Sequence, residues 1–125
     1  MTKTNGVTKV NLIDAFSRID APWQPKIAGE LNGQHVKLAK MLGEFPWHAH
    51  DGEDELFLVV KGAFRLELRD RAIDAGEGEM IIVPRGVEHR PVAEQEAHVL
   101  LFEPASTLNT GNVRDERTVE QLVRL

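Results

Sequence analysis

The sequence predicts an all-β fold, an antiparallel sandwich or barrel, and three observations carry that reading. Apolar segments are short and recur at close spacing along the chain. Turn residues punctuate them, among them Asn32-Gly33, Asp51-Gly52, Asp70-Arg71, Gly76-Glu77-Gly78 and Pro84-Arg85-Gly86. One segment alternates with the period of a strand, Phe64, Leu66 and Leu68 against Arg65, Glu67 and Arg69. Short strands separated by turn signals belong to sandwiches and barrels, whereas βαβ folds interleave longer helical patterns.

Taken in order, residues 1–9 are polar and expected to fray. Residues 10–19 suit either a short strand or one or two helical turns, since apolar residues fall at 12, 13, 16 and 19. Pro22 and Pro25 then interrupt regular structure. Residues 26–31 and 34–42 read as a hairpin joined by Asn32-Gly33, a pair suited to the left-handed backbone of a tight turn. In its second strand Val36, Leu38 and Leu42 share one parity, and His35, Lys37, Ala39 and Met41 the other. Residues 55–60 are apolar on both parities, so both faces are expected to be covered. Residues 63–69 alternate, 72–74 form a short strand, and 80–83 form an apolar strand ended by Pro84. Residues 87–92 and 98–102 read as two further strands with an acidic turn, Glu94-Gln95-Glu96, between them. From Glu103 onward the chain is polar apart from Val119, Leu122, Val123 and Leu125.

Composition bounds the function. A chain of 125 residues makes one domain, 1–125, able to bury a core without staples. Its 42% hydrophobic and 28% charged content is that of an ordinary globular protein. A net charge of −5 argues against a nucleic-acid partner, which would need a basic surface. No apolar run approaches the roughly 18 residues of a membrane span, and the first residues lack the apolar core of a secretory signal. A cytoplasmic location without a membrane partner is therefore expected. The absence of cysteine excludes disulfides, thiolate ligands and thiol nucleophiles. The absence of tyrosine leaves proton transfer to water, lysine, histidine or a carboxylate.

The stretch from Gly43 to Gly62 concentrates the chemistry. It holds His48-Ala49-His50, then Glu55 after the polar turn Asp51-Gly52-Glu53-Asp54. Composition alone would produce such a His-x-His and Glu pattern about 0.02 times per chain. On a strand, positions i and i+2 share a face, so both imidazoles can aim at one point. Two neutral imidazoles and a carboxylate suit a borderline divalent cation, and one more histidine would complete a four-ligand set. His89 supplies it, in the segment from Gly78 through Pro84 and Gly86.

With these residues together, the chain resembles the cupin superfamily. The first cupin motif, a glycine, His-x-His, a glutamate and a closing glycine, is matched over 43–62 by Gly43, His48, His50, Glu55 and Gly62, one residue short before His48. The second is matched over 78–93 by Gly78, Pro84, Gly86 and His89, with Ala93 where the motif has asparagine. The resemblance implies a double-stranded β-helix, or jelly-roll, barrel with short helical turns possible at the termini. It also implies one divalent transition metal (iron, manganese, nickel, zinc or copper) held by His48, His50, Glu55 and His89. It further implies a homodimer, in which residues 7–16 could exchange between subunits.

Such a metal keeps positions open for water, oxygen or a chelating substrate. The expected function is a metal-dependent enzyme of dioxygenase or isomerase type on a small oxygen-rich molecule, with Glu55 alternating between ligand and base. Two alternatives stand beside it: a metal-dependent binding or sensing module, and a structural metal in a barrel without catalysis. Phe57, Val59, Phe64 and Val87, with Pro91, are expected to wall the pocket. Arg65 and Arg85 could bind an anionic group, whereas Arg90 has the parity opposite to His89 and should point away. His35 and His98 lie outside both motifs and are expected to be surface or core residues rather than ligands.

Overall fold

In the computed structural model, which describes residues 6–125, one long strand organises the sheet. The expected fraying at the N-terminus falls largely on residues 1–5, outside the described ones. The elements are α1 (Leu12–Ser17), β1 (Lys26–Leu31), β2 (Gln34–Glu44), β3 (Glu55–Lys61), β4 (Ala63–Glu67), β5 (Ala72–Gly76), β6 (Met80–Val83), β7 (Arg90–Pro104) and β8 (Val123–Arg124). The strand β7 pairs antiparallel with β2 from Glu44↔Val92 to Gln34↔Pro104. Its first residues also pair with β4, Glu67↔Arg90 to Arg65↔Val92. Its later residues pair with β3, Lys61↔His98 to Leu56↔Phe102. One strand thus belongs to both halves of the roll, and the sheet curls around it with β5 beyond β4 and β6 beyond β3.

That continuity corrects the expected break at residues 94–96. Met41 pairs with Ala97 and Gly43 with Ala93, so β7 spends more residues than β2 over this interval. Glu94, Gln95 and Glu96 form a bulge within a strand, with their side chains exposed and Ala93 and Ala97 buried on either side. The strand also starts later than residue 87, because the turn after Pro84 continues through Val87, whose N–H donates to the Pro84 carbonyl at 3.3 Å.

The hairpin β1–β2 forms as read, with Asn32 and Gly33 at φ 51° and 76°. The ambiguous residues 10–19 settle as α1. Asn11 caps it, its Oδ1 accepting from the Asp14 N–H at 2.9 Å. Phe16 and Ile19 are buried with Ala15 against Leu38 on the outer face of the sheet. Each large apolar side chain buried this way contributes about 1.5–3 kcal/mol. The main core lies inside the roll, where Met41, Phe57, Val59, Phe64, Leu66, Val83, Val99 and Leu101 pack together. No helix among the described residues is long and apolar enough to cross a membrane.

Candidate metal centre

The two motifs are joined first through their backbones. His48 and His89 form an isolated antiparallel bridge, with N–H to carbonyl distances of 3.0 and 2.9 Å. His50 is tied to the second motif by its carbonyl, which accepts from the Gly86 N–H at 2.8 Å. The His-x-His segment is not a regular strand beyond this bridge, yet both rings still turn inward, 5.0 Å apart and nearly perpendicular. Glu55 opens β3 opposite Val83 and completes the group.

The side chains of His48, His50, Glu55 and His89 are all buried, and each offers a ligand atom within 4.8 Å of the other three. Glu55 Oε1 stands 3.4 Å from both His50 Nε2 and His89 Nε2. Two ligand atoms on one ion at roughly 2.0–2.2 Å would be about this far apart. His48 donates through Nδ1 to the Pro46 carbonyl at 2.8 Å, and His89 through Nδ1 to the Val87 carbonyl at 2.8 Å. Those bonds fix the tautomer and leave each Nε2 lone pair facing inward, as metal-ligating histidines require. Glu55 Oε1, His89 Nε2 and both nitrogens of His50 are buried without any hydrogen-bond partner. Buried polar atoms are costly to leave unpaired, and here a single cation would satisfy the inward-facing ones together. The donor set, three imidazoles and a carboxylate, fits a divalent transition ion.

A cupin-domain family model matches residues 34–103, which includes all four of these side chains. The chain is a cupin. A cupin-2 domain protein from Shewanella frigidimarina is 40% identical, with a TM-score of 0.75 over 76% of this chain and 93% of that one. Protein NMB1881 of Neisseria meningitidis is 32% identical, with a TM-score of 0.72 over 78% of this chain and all of that one (100%). Among curated proteins, the uncharacterised YdbB of Bacillus subtilis is 34% identical over 62 residues, 49% of this chain and 55% of that protein. The match therefore spans little more than half of that relative's length. The fold is the jelly-roll barrel of the family.

Electrostatics prepare the cupin site for a cation. Burial, then the nearby His89, holds the His48 imidazole down to about 4, so it is neutral and its lone pair is free. Burial acts to raise the Glu55 carboxyl, but contacts with Glu103, His50 and His89 outweigh it and hold Glu55 well below the carboxylate range. Glu103 moves the other way. Burial and the adjacent Glu55 charge push its carboxyl well up, against the pull of Lys37.

Lys37 and Glu103 are residues the sequence reading did not single out. They are 1% and 2% exposed and form an ion pair of 2.6 Å, with Lys37 Nζ also donating to the Thr107 carbonyl at 3.2 Å. Both line a cavity of about 40 Å³ that reaches His48 and Glu55, enclosed by Trp23, Phe45, Phe57 and Pro91 among others. Trp23 holds a positive φ of 62°, rare for a bulky residue, with its indole N–H donating to the Leu42 carbonyl at 2.8 Å. Its ring lies 4.8 Å from Phe45, which in turn meets His48 edge-on at 5.3 Å.

Of the expected pocket walls, Phe57 and Pro91 line this cavity. Val59 and Phe64 lie in the main core and outside the cavity lining. Val87 does not face it either: it is 37% exposed, because the turn after Pro84 carries it to the surface before the chain turns inward at His89. The arginines are engaged elsewhere, Arg85 with Asp54, Arg65 with Glu67 and Glu94, and Arg90 with Glu67. Arg69 and Arg90 stack over Trp47, at 3.9 and 5.3 Å from its ring. His35 bonds Glu30 at 2.9 Å and His98 stacks on Phe16 at 4.6 Å, both apart from the cluster.

The polar C-terminal segment closes the site from outside. Asn112 grips Ala49, the residue between the two histidines. Its Oδ1 accepts from the Ala49 N–H at 2.9 Å, and its own N–H donates to the Ala49 carbonyl at 3.0 Å. Gly111 lies against the same peptide, where a Cβ would come within 2.2 Å of the Ala49 carbonyl oxygen. No sequence signal marks this pair, since both sit in what reads as a solvated tail.

Proposed function

We propose that this cupin holds one divalent transition metal on His48, His50, Glu55 and His89 and is a metal-dependent enzyme, of dioxygenase or isomerase type, for a small oxygen-rich molecule. The observation that supports this most directly is the convergence of buried, unpartnered ligand atoms at the inner end of a mostly apolar cavity. When bound, the metal would supply a Lewis acid for a carbonyl or hydroxyl oxygen, or a redox centre for dioxygen. The chain's own residues do the rest. His48 and His89, fixed by Pro46 and Val87, present lone pairs without reorganisation. Glu55 gives one oxygen to the ligand set and its other to the cavity as proton acceptor. Trp23, Phe45 and Phe57 exclude water and select a compact, partly apolar substrate. With no tyrosine in the chain, a reaction that depends on a phenol base is excluded.

A homodimer is part of this reading. On the outer face of the sheet, Leu56 pairs with Ile82 and Phe102, and Leu58 with Met80 and Leu100. Met80 and Ile82 are 60% and 58% exposed there, an apolar strip beside the part that α1 covers.

The test is metal analysis of protein purified without immobilised-metal columns. Iron-, manganese-, nickel- and zinc-loaded protein is then assayed on diketones, hydroxyketones and phenols, following oxygen uptake and products by mass spectrometry. Turnover with at least one metal and none without it is the expected result. Metal-dependent ligand binding without turnover would replace the enzyme by a binding or sensing module. A metal whose removal only lowers the melting temperature would leave a structural role.

A further inference from the structure

The cavity is too small and too closed for the substrate proposed for it. Its free volume of about 40 Å³ holds a few water molecules. Sites that enclose an organic ligand run to roughly 300 Å³ or more. Of the described residues that line it, all but Trp23 and Asn109 are buried, so these two side chains stand between the cavity and solvent. Most of the wall is fixed. Lys37, Ala39 and Met41 on β2, Phe57 on β3 and Leu101 on β7 all sit in paired register. Asn109 is fixed too, its Nδ2 donating to the Arg117 carbonyl at 2.7 Å and its Oδ1 accepting from the Val119 N–H at 2.9 Å.

Trp23 is held differently. Residues 21–24 lie between α1 and β1, outside helix and strand. The β1–β2 pairing stops at Lys26↔Leu38, so lifting this turn breaks no ladder pair. Trp23 hangs on β2 by two hydrogen bonds, from its backbone N–H to the Lys40 carbonyl at 2.9 Å and from its indole N–H to the Leu42 carbonyl at 2.8 Å. Its φ of 62° is a conformation that a bulky residue keeps only where its neighbours enforce it. Here the enforcement is those two bonds and the packing of the ring on Phe45, 4.8 Å away. We infer that Trp23 is the gate of the cavity. The turn lifts from β2, the indole leaves Leu42 and Phe45, and the space it vacates admits the substrate; its return seals the site from water. The inference deepens the enzyme reading above and rests on it for what passes the gate; the gate itself stands on the packing of Trp23.

The chain has no cysteine, so one introduced thiol reports access to the cavity without a substrate or a metal. Ala39→Cys places the thiol on the cavity wall. Val99→Cys places a control at the register partner of Ala39, fully buried and outside the cavity lining. Both full-length chains, metal-free and under native conditions, are treated with methyl methanethiosulfonate, and labelling is followed by mass spectrometry. A thiol reached by local opening reacts faster than one that waits for global unfolding, so the Ala39→Cys chain should label at least about tenfold faster than the Val99→Cys chain. Trp23→Phe, added to each, keeps a ring but removes the indole donor. It should widen that gap a further 2–10-fold or so, about the worth of one hydrogen bond, whereas a mere loss of stability speeds both chains alike. Equal rates in the two chains overturn the gate, and so does a gap that Trp23→Phe leaves unchanged. Neither readout involves metal or turnover. Absence of activity with every metal would sink the enzyme reading and leave the gate standing.

Discussion

Gly111→Ala is the sharpest probe of how the ligand segment is held. The new Cβ would sit 2.2 Å from the Ala49 carbonyl oxygen, 2.9 Å from its carbon and 3.1 Å from His48 Cδ2. Backbone atoms on both sides have little room, so residues 110–112 or 48–50 must move apart by on the order of 1 Å to restore ordinary van der Waals contact. Such a shift breaks the two Asn112–Ala49 hydrogen bonds, each about 0.5–1.5 kcal/mol. Holding alanine at φ 57° adds about 1–2 kcal/mol. The sum is roughly 2–5 kcal/mol, drawn from stability, from ligand positioning or from both. The assay is a pair of measurements: thermal melting of metal-free protein, and metal affinity by competition with a chelating dye. The variant should melt lower and bind metal about 10–100-fold more weakly, the usual cost of losing outer-shell support. Gly29→Ala, where a Cβ meets nothing within 4 Å, is the control. If Gly111→Ala matches the parent in both measurements, the clamp has no role in holding the histidines.

Three further outcomes are expected. His89→Ala should lower metal occupancy and the metal-loaded melting temperature together, whereas His98→Ala should leave occupancy unchanged, as metal analysis of the two purified variants will show. His48 titrates at about 4 in the fold against 6.5 for the free imidazole, so the unfolded chain binds more protons between those values. The metal-free protein should therefore keep this contribution above pH 6.5 and lose it as pH falls toward 4, by roughly 3 kcal/mol at most, in urea titrations across that window. Metal affinity should fall in the same direction, because protons compete for the ligands. Light scattering at micromolar concentration should give twice the 14.0 kDa chain mass, and Ile82→Glu on the exposed strip should return it to that of one chain; a parent protein already at 14.0 kDa would refute the dimer.

The sequence made the clustering of His48, His50, Glu55 and His89 and most strands legible because both rest on local patterns. His-x-His, the following glutamate and the Pro-x-Gly turn before His89 are short-range signals, and the alternation of residues 63–69 reports its buried face directly. What escaped was set by partners distant in the chain. The acidic stretch 94–96 looks like a turn on its own, and becomes a bulge only because β2 fixes Met41 against Ala97 and Gly43 against Ala93. Lys37 shares the parity of Ala39 and Met41, which are buried, yet a lysine there reads as a sign of a wet face. Its compensating carboxylate is 66 residues away. Val87 shares an alternating pattern with His89, but it closes the turn after Pro84 and precedes the first paired residue, His89, so alternation does not carry over to its side chain.

The grip of Asn112 on Ala49 also orders events during synthesis. All four cluster residues have been made once the chain reaches His89, but the peptide between His48 and His50 is not held until residue 112 has left the ribosome and folded back. The long strand β7, which joins the two halves of the sheet, must be complete before then as well. Ribosome-bound chains stalled before residue 104 should hold metal weakly, and released full-length chains firmly. On the proposed metal-binding reading, uptake at the cluster would then follow chain release rather than precede it.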